Sequence, residues 1–400
     1  MTHHLIPGEP GQPFQPSKAR VALVAHDIHD GGGMERACAE LIHHSSDRIE
    51  FCVISAVLAP ELRPLVRRWI PIEVPSRPFP LKFIAFWLRA RKALDRLDVD
   101  LVHTVGAIVP NRVDLASIHF CHAGFVAENH HLAPREAPPS RRLNSAASRL
   151  LALLAERWSY RPGRLRSFGA VSEGVANEVA HHYPAIPCTI TPNGANLSRF
   201  HPDPDVRTAC RSAQGTGPTT TVALFVGGDW ERKGLKIAIS ALAEARSMGE
   251  DIELWVVGKG DLAKFKQFSS EHGVASHVYF YGVRSDTERF YQAADLVVLP
   301  SAYEAFSLVF LEAAACGLPL VVPPISGAKE IVGGDEGGLL VQRSVASVSA
   351  ALARLAADPG LRSALGAEAR RRAQLYTWDR SAASVTDLYS RLLTHEIGPT

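Results

Sequence analysis

The chain has 400 residues with 46% hydrophobic and 21% charged content, and its formal net charge is +2. That length is greater than a single hydrophobic core usually supports, so we expect a globular protein of two domains. The small net charge disfavours nucleic acid as a partner. The cysteines are scattered singly without metal-ligand spacing, which favours reduced thiols in a cytoplasmic protein.

The amino-terminal segment, residues 1–17, carries a proline at every third position from Pro7 to Pro16, so we expect a flexible tail. It is not basic and then apolar, so we expect no signal peptide. No later apolar run approaches the ~20 residues that a membrane-spanning helix needs.

The first regular elements are an apolar strand over residues 21–25 and a helix from Met34, joined by a loop that contains three glycines, Gly31, Gly32 and Gly33. Glycines at a strand-to-helix turn allow a ligand to approach the backbone closely. The loop lacks the G-x-G-x-x-G spacing of dinucleotide sites, which disfavours a nicotinamide-dependent dehydrogenase. A simple tight turn is the alternative.

The alternation of strands and helices continues and predicts parallel sheets built from right-handed crossovers. The expected strands cover residues 51–57, 101–105, 115–119, 167–171 and 188–191, and the expected helices cover residues 80–97 and 141–160 and one beginning at 173. A turn-rich and then polar stretch, residues 191–220, precedes a second alternating series that starts at 221–226. We therefore predict a first domain over residues 18–195, a second over 196–376, and a terminal segment, 377–400, built on a helix over 378–393.

The helix expected over residues 80–97 is basic and amphipathic, and its basic residues are interleaved with Phe83, Ile84, Phe86, Trp87 and Leu88. Such a helix suits the surface of an anionic membrane. An ordinary helix packed on the sheet, with its basic side in solvent, is the alternative.

Two histidines, His119 and His122, follow the strand over residues 115–119. A histidine at the end of a parallel strand can face a cleft, although by itself it is more often a structural group.

The second domain opens with a glycine-rich turn, Gly227 and Gly228, followed by Arg232 and Lys233 at a helix start. The alternative is a solvated pair of cations at a helix start, but the positive end of the helix dipole would repel them there. The two cations would suit a negatively charged group such as a phosphate.

The segment 300–319 predicts a loop after a strand and an apolar helix starting near Phe306, with Glu304 in the loop and Glu312 in the helix. Carboxylates accept hydrogen bonds from sugar hydroxyls, and the backbone N–H groups of Phe306, Ser307 and Leu308 would suit a phosphate. A structural glutamate paired with an arginine is the alternative for Glu312.

The sequence from Glu304 through seven residues to Glu312, followed by Ala-Ala-Ala-Cys-Gly-Leu-Pro, resembles the donor-site signature of glycosyltransferase family 4, which comprises retaining enzymes of the GT-B fold. The departures are Ala305 and Ser307, where the family usually has glycine, and Gly228, where many members have arginine. The Arg-Lys-Gly run at 232–234 and the Gly-Gly-Met-Glu-Arg run at 32–36 resemble glucosyltransferases of the lipopolysaccharide core.

The resemblance, which covers roughly residues 20–395, implies two Rossmann-like α/β domains facing a cleft, with the last helix crossing back to the first domain. It implies that Arg232 and Lys233 stabilise the departing nucleoside diphosphate, that Glu304 orients the sugar and that Glu312 holds the ribose. His119 would lie near the sugar, with His122 as its rival on the acceptor side. The other implied positions are Gly228, Gly258, Val283, Arg284, Phe306, Ser307 and Leu308 for the donor and Gly31, Gly32 and Gly33 for the acceptor.

The functional hypothesis is transfer of a hexose from UDP-glucose or a related UDP-hexose, with GDP-mannose next, to a glycan or lipid-linked acceptor in cell-envelope or exported polysaccharide synthesis. We expect no cofactor beyond the donor and no metal, because two cations are available and the D-x-D matches at 98–100 and 203–205 suit turns. We expect a cytoplasmic protein that contacts the inner face of the membrane. A sugar-nucleotide epimerase or hydrolase and a non-catalytic nucleotide-sugar-binding partner are the alternatives.

Overall fold

The computed structural model describes residues 18–128 and 139–394. The tail expected over residues 1–17 and the last six residues of the terminal segment lie outside the described residues.

The first domain is built on a seven-stranded parallel sheet with helices between its strands. In spatial order the strands run β5-β3-β1-β6-β7-β8-β9, and a separate short pair is formed by β2 and β4. The strands are β1 (Ala19–Val24), β2 (Asp27–Ile28), β3 (Ile49–Ser55), β4 (Val57–Leu58), β5 (Arg68–Pro71), β6 (Leu101–Val105), β7 (Val113–Ile118), β8 (Leu165–Ala170) and β9 (Cys188–Ile190). The helices are α1 (Gly33–Ser45), α2 (Phe79–Leu94), α3 (His122–Glu128), α4 (Pro139–Ser159) and α5 (Glu173–His182).

The second domain repeats this architecture around a six-stranded parallel sheet of order β12-β11-β10-β13-β14-β15. Its strands are β10 (Thr221–Val226), β11 (Ile252–Val257), β12 (Val278–Gly282), β13 (Leu296–Val298), β14 (Leu320–Val322) and β15 (Gly338–Leu340). The helices are α6 (Pro204–Gln214), α7 (Leu235–Ser247), α8 (Leu262–Glu271), α9 (Thr287–Ala293), α10 (Leu308–Ala315), α11 (Ala328–Val332), α12 (Val345–Ala357), α13 (Pro359–Ala373) and α14 (Trp378–Leu393).

The strand order reverses direction between β1 and β6 in the first sheet and between β10 and β13 in the second. All six residues of β10 are buried, as expected for a central strand covered by helices on both faces. Ligands of open α/β sheets bind beyond the carboxyl ends of the strands at such reversals. The glycine loops that follow β1 and β10 lie at these two positions.

The last helix, α14, leaves the second domain and packs on the first. The chain crosses between the domains where Ala195 pairs with Thr377, and a Cβ on Gly194 would lie 2.3 Å from the backbone nitrogen of Trp378. Leu388 and Tyr389 of α14 are buried in the core formed around β1. The expected arrangement of two Rossmann-like domains with a returning terminal helix is confirmed.

The structure corrects the predicted elements at several places. Helix α10 begins at Leu308 and not near Phe306, because residues 301–307 form a loop that packs across the cleft. The polar stretch expected as a linker contains α6, whose start is capped by Asp203 through hydrogen bonds from the next turn. Strand β5 and helix α3 were not predicted. None of the helices within the described ranges has the length and apolar character needed to cross a bilayer.

Candidate active site

A cleft of about 500 Å³ lies between the carboxyl ends of the two sheets. The first domain contributes the glycine loop after β1 and the start of α1, and the second domain contributes the loop after β10 and the segment between β13 and α10. Predicted site residues that line the cleft are Gly31, Gly32, Gly33, His119, Gly228, Lys233, Glu304, Phe306, Ser307, Leu308 and Glu312. The fold therefore brings together residues that lie up to 281 positions apart, the difference between 312 and 31.

Glu304 is held in place through one of its two carboxylate oxygens. Its Oε1 accepts hydrogen bonds from Lys233 Nζ at 2.8 Å and from Ser301 Oγ at 3.0 Å, while Arg232 Nη1 approaches to 3.4 Å. Burial raises the pKa of Glu304, but the charges of Lys233 and Arg232 outweigh that effect and hold the pKa below its ordinary value. The group is therefore ionised at neutral pH, and Oε2 has no partner in the part of the chain that the structure describes.

Lys233 reaches Glu304 along the floor of the cleft. Its side chain is 11% exposed, and its stem runs over Gly227, where a Cβ would lie 2.6 Å from Lys233 Cδ. Gly227 also has a φ of +140°, which side chains rarely adopt. A glycine at this turn is therefore required both by the backbone and by the lysine that covers it.

Arg232 does not line the cleft. Its Nε pairs with Asp229 at 3.0 Å, and its Nη1 donates to the carbonyl of Tyr303. The two adjacent cations thus point to different places: Lys233 lies in the cleft, and Arg232 braces the loop that carries Glu304 from behind.

The loop that carries Glu304 is also fixed to the first domain. The hydroxyl of Tyr303 donates to Glu178 Oε2 at 3.1 Å, and its ring packs against Phe120 and Phe125 with centroid distances of 5.1 and 5.3 Å. Asn193 Nδ2 donates to the carbonyl of Phe306 at 3.3 Å. The position of Glu304 therefore depends on both domains.

Glu312 is buried in α10, and both of its oxygens have partners from outside that helix. Arg36 Nη1 donates to Oε1 at 2.8 Å, and the hydroxyl of Tyr291 donates to Oε2 at 2.9 Å. Burial outweighs the charge of Arg36 and holds the pKa of Glu312 above its ordinary value. This is the pairing with an arginine that the sequence left open as the structural alternative.

The start of α10 is open to the cleft. Ser307 occupies the cap position without a side-chain hydrogen bond, and the N–H groups of Phe306, Ser307 and Leu308 have no acceptor among the described residues. Free N–H groups at a helix start, together with the helix dipole, attract an anion. These N–H groups therefore face the cleft where the phosphate site is predicted.

The two histidines differ in position. His119 lines the cleft, whereas His122 begins α3 with its ring against Phe120 and its backbone N–H bonded to Glu156 at 2.8 Å. Burial lowers the pKa of each ring to about 4. His119 is therefore a neutral imidazole at neutral pH, able to exchange hydrogen bonds with a sugar hydroxyl.

The remaining predicted donor positions lie around the cleft and do not line it. Gly258 follows β11 with its Cβ position 2.1 Å from the carbonyl oxygen of Gly227, so the two glycine turns touch. Val283 is 73% exposed, and Arg284 pairs with Asp286 at 2.8 Å. Within the described residues no group of three or more His, Cys, Asp or Glu has the geometry of a metal site.

The sequence analysis included Arg36 only as the end of the Gly-Gly-Met-Glu-Arg run and gave it no role, and it did not single out Asp30 or Asn193, although all three line the cleft. Arg36 follows the glycine loop by one helical turn, which is a usable signal, but its partner lies 276 residues away. Asn193 lies in a Pro-Asn-Gly stretch that predicts a turn. Only the packing of the two domains shows that it faces Phe306.

Two family models match the chain, one for each domain. Glycosyltransferase Family 4 matches residues 31–199, and Glycosyl transferases group 1 matches residues 206–372.

Curated relatives include a D-inositol 3-phosphate glycosyltransferase of Streptomyces bingchenggensis, which is 30% identical over 323 residues, 74% of this chain and 67% of that protein. A protein of the same name from Corynebacterium jeikeium is 35% identical over 224 residues, 52% of this chain and 54% of that protein.

Solved structures with the same fold have lower sequence identity. WaaG, a glycosyltransferase involved in lipopolysaccharide biosynthesis, aligns with a TM-score of 0.77 at 22% identity over 92% of this chain and 98% of its own. Anabaena HepE in complex with UDP-glucose aligns with a TM-score of 0.69 at 17% identity over 93% of this chain and 99% of its own.

Proposed function

The chain belongs to glycosyltransferase family 4, and from that premise we propose that it transfers a hexose from a nucleoside diphosphate sugar to a hydroxyl of a glycan or lipid-linked acceptor, with retention of anomeric configuration. The observation that carries the proposal is the ionised Glu304, fixed through Oε1 by Lys233 and Ser301 with Oε2 left for a ligand. An anion-attracting helix start lies a few residues away on the same cleft.

The proposed donor pose follows from these groups. The diphosphate lies at the N–H groups of Ser307 and Leu308 with Lys233 beside it, and the hexose hydroxyls donate to Glu304 Oε2. Lys233 is then shared between Glu304 and the leaving phosphate, and each charge-assisted bond contributes roughly 1.5–3 kcal/mol. Positive groups aimed at the site where charge develops are the largest common source of rate enhancement.

In the proposed reaction the bond between the anomeric carbon and the phosphate oxygen breaks while the acceptor oxygen bonds to the same face of that carbon. The acceptor proton passes to the departing phosphate oxygen, so the products are the glycoside and the free nucleoside diphosphate. No protein nucleophile takes part. His119, being neutral, hydrogen-bonds a sugar hydroxyl and does not supply charge.

We propose a UDP-hexose as the donor, UDP-glucose first and GDP-mannose next. Support comes from the Arg-Lys-Gly run at 232–234 and from the fold shared with HepE, which was solved with UDP-glucose. The name of the curated relatives contains a phosphorylated polyol, D-inositol 3-phosphate. A polyol phosphate is therefore the competing acceptor class, and it is tested in the same assay.

We propose that the protein works at an anionic membrane surface in cell-envelope polysaccharide synthesis. Phe83 and Phe86 of α2 are buried in the core, as expected for a helix packed on the sheet. The exposed apolar side chains of α2 include Leu81, Ile84 and Leu88. The neighbouring α4 adds Leu143, Leu150, Leu154 and Trp158, and exposed arginines such as Arg91 and Arg157 flank them. Apolar side chains bordered by cations match the chemistry of an anionic lipid headgroup layer.

The membrane proposal is tested by sedimentation with vesicles of phosphatidylcholine alone or of phosphatidylcholine mixed with the anionic lipid phosphatidylglycerol. Wild type should sediment with the anionic vesicles, and a variant with Leu81→Ser, Ile84→Ser and Leu88→Ser should not. Equal sedimentation of both proteins with the anionic vesicles would show that α2 does not contact the membrane.

The proposed reaction is tested by incubating UDP-glucose, UDP-N-acetylglucosamine and GDP-mannose with the protein in EDTA, with and without glycan or inositol phosphate acceptors. We expect slow donor hydrolysis that one acceptor class accelerates, and loss of both activities in Glu304→Gln, with Glu271→Gln on the exposed end of α8 as the control. Donor conversion that no acceptor alters would favour the epimerase or hydrolase alternative, and no conversion would contradict the proposal.

A further inference from the structure

An ion pair crosses the cleft and joins the two domains directly. Arg36 lies in the first turns of α1, and Glu312 lies in the middle of α10. Arg36 Nη1 is 2.8 Å from Glu312 Oε1, and its Nη2 donates to the carbonyl of Asp30 at 2.9 Å. The two side chains are 23% and 10% exposed, and both residues line the cleft.

The two oxygens of Glu312 are not equivalent toward a ligand. Oε2 is held by the hydroxyl of Tyr291, a fully buried residue of the second domain. Oε1 is the oxygen bound by Arg36, and therefore the one that faces the first domain across the cleft. A donor ribose that hydrogen-bonds Glu312 from the cleft would therefore compete with the Arg36 guanidinium for Oε1.

An alternative anion site lies within the same cleft. Helices α1 and α10 both begin there, and Ser307 at the start of α10 makes no side-chain cap hydrogen bond, whereas the carboxylate of Glu35 in the first turn of α1 lies over Gly32. The two starts face each other closely, since a Cβ on Gly33 would lie 3.9 Å from Leu308 Cδ1. Two helix starts present partial positive charge to one space, so an anion placed there also attracts Arg36.

We propose that Arg36 is a donor-binding residue of the first domain that exchanges one anion for another. It pairs with Glu312, as the structure shows, and it pairs with the diphosphate of a bound nucleotide while ribose hydroxyls replace it on Glu312. The inference rests on the proposed function, because it needs a nucleotide donor. Arg36 then opposes binding of the nucleoside portion and favours binding of the phosphates. The cleft thereby selects a nucleoside diphosphate over the nucleoside alone.

The test compares the affinities of wild type and Arg36→Met for UDP and for uridine, and for GDP and guanosine, by titration calorimetry. Loss of a charge-assisted contact should weaken nucleoside diphosphate binding about 10- to 100-fold, and loss of the competing guanidinium should strengthen nucleoside binding. Arg48→Met, at an exposed arginine just after α1, serves as the matched control and should change neither. Weakening of both ligands by the same factor, or an unchanged diphosphate affinity, would overturn the proposal.

A second background guards against misfolding, because Arg36→Met leaves a buried carboxylate without its cation. In Glu312→Gln, that charge is gone, and adding Arg36→Met should still weaken UDP binding about 10-fold or more. If the double variant binds UDP as Glu312→Gln does, Arg36 acts only through Glu312, and the proposal fails. If wild type binds no nucleotide at all, the proposed function fails together with this inference. If wild type binds UDP and Arg36→Met binds it with the same affinity, this inference alone fails.

Discussion

Glu304 and Glu312 are both buried, yet their surroundings move their pKa values in opposite directions. Burial raises both, but two cations close to Glu304 hold its pKa below the ordinary value, whereas a single arginine leaves that of Glu312 above it. Glu304 thus keeps a fixed negative charge for sugar hydroxyls. The negative charge of Glu312 is less strongly stabilised, and its partner Arg36 comes from the other domain.

The pair of Lys233 and Glu304 should be strongly coupled in stability and separately required for activity. Removing one member of a buried ion pair leaves an uncompensated charge, so Lys233→Met and Glu304→Gln should each cost about 3–5 kcal/mol of unfolding free energy. The double variant should lose clearly less than the sum and still lack transfer activity. Denaturant unfolding and the transfer assay measure the two effects.

Lys236→Met, three positions later on α7 and over the ring of Phe268, is the control for that cycle. It should change neither the coupling nor the activity. Additive losses of unfolding free energy for Lys233→Met and Glu304→Gln would show that the two side chains are not coupled. Transfer activity in the double variant would show that the pair is not required for the reaction.

At the scale of elements, α14 joins the terminal segment to the first domain through a buried polar contact. Tyr389 shares a hydrogen bond of 2.6 Å with His103 Nδ1, and the other ring nitrogen bonds Ser117 at 2.8 Å. Both histidine nitrogens are therefore satisfied in a site with almost no solvent. The returning helix is positioned by this contact as well as by its apolar face.

Tyr389→Phe should lower the unfolding free energy by about 1–2 kcal/mol, because it leaves a buried ring nitrogen without its partner. Tyr281→Phe is the matched control, since the hydroxyl of Tyr281 is buried without a partner among the described residues. That change should be neutral or stabilising. Equal losses in both variants, measured by denaturant unfolding, would contradict the account of α14.

The helices and strands themselves follow from periodicity, and most were predictable to within a few residues. The exceptions have local reasons. The start of α10 was placed too early because Phe306 is apolar, although it packs as part of a loop beside Tyr376. Helix α6 was missed because Pro204 and the polar residues after it suit a linker as well as a capped helix start.

At the scale of the whole molecule, what the sequence could not reveal are the contacts between the domains. The signature of Glu304 and Glu312 is local and predicts a donor site. The pairing of Arg36 with Glu312, and the turning of Arg232 toward the carbonyl of Tyr303, depend on how separately folded units meet. Residue types and local spacing are not enough to predict that packing.

The molecule should lose stability in mild acid. Burial lowers the pKa of His26, His119 and His122 to about 4 and that of His103 to about 3. These depressed values contribute stability above pH 6.5 that is lost as the pH falls toward 4, at about 1.4 kcal/mol per pH unit for each proton taken up on unfolding. Burial raises the pKa of Glu156 to about 7, so its contribution has the opposite sign and is lost as the pH rises through 7.

Denaturant unfolding at pH 7.5, 6.5, 5.5 and 4.5, values of roughly one-unit spacing across that window, measures the net effect. The unfolding free energy of wild type should fall steadily below pH 6.5. Glu156→Gln removes the opposing contribution, so its decline should be steeper. A flat profile for both proteins would contradict the buried, neutral state of the histidines.

The most direct test of the central claim, that the cleft between the two sheets holds a nucleotide sugar, is calorimetric titration of the protein in EDTA with UDP-glucose, UDP-N-acetylglucosamine and GDP-mannose. We expect one of them to bind in a one-to-one complex. The Lys233→Met and Glu304→Gln double variant should bind it more weakly, while Lys236→Met should bind it as wild type does. Absence of binding by all three donors, or equal binding by wild type and the double variant, would contradict the account.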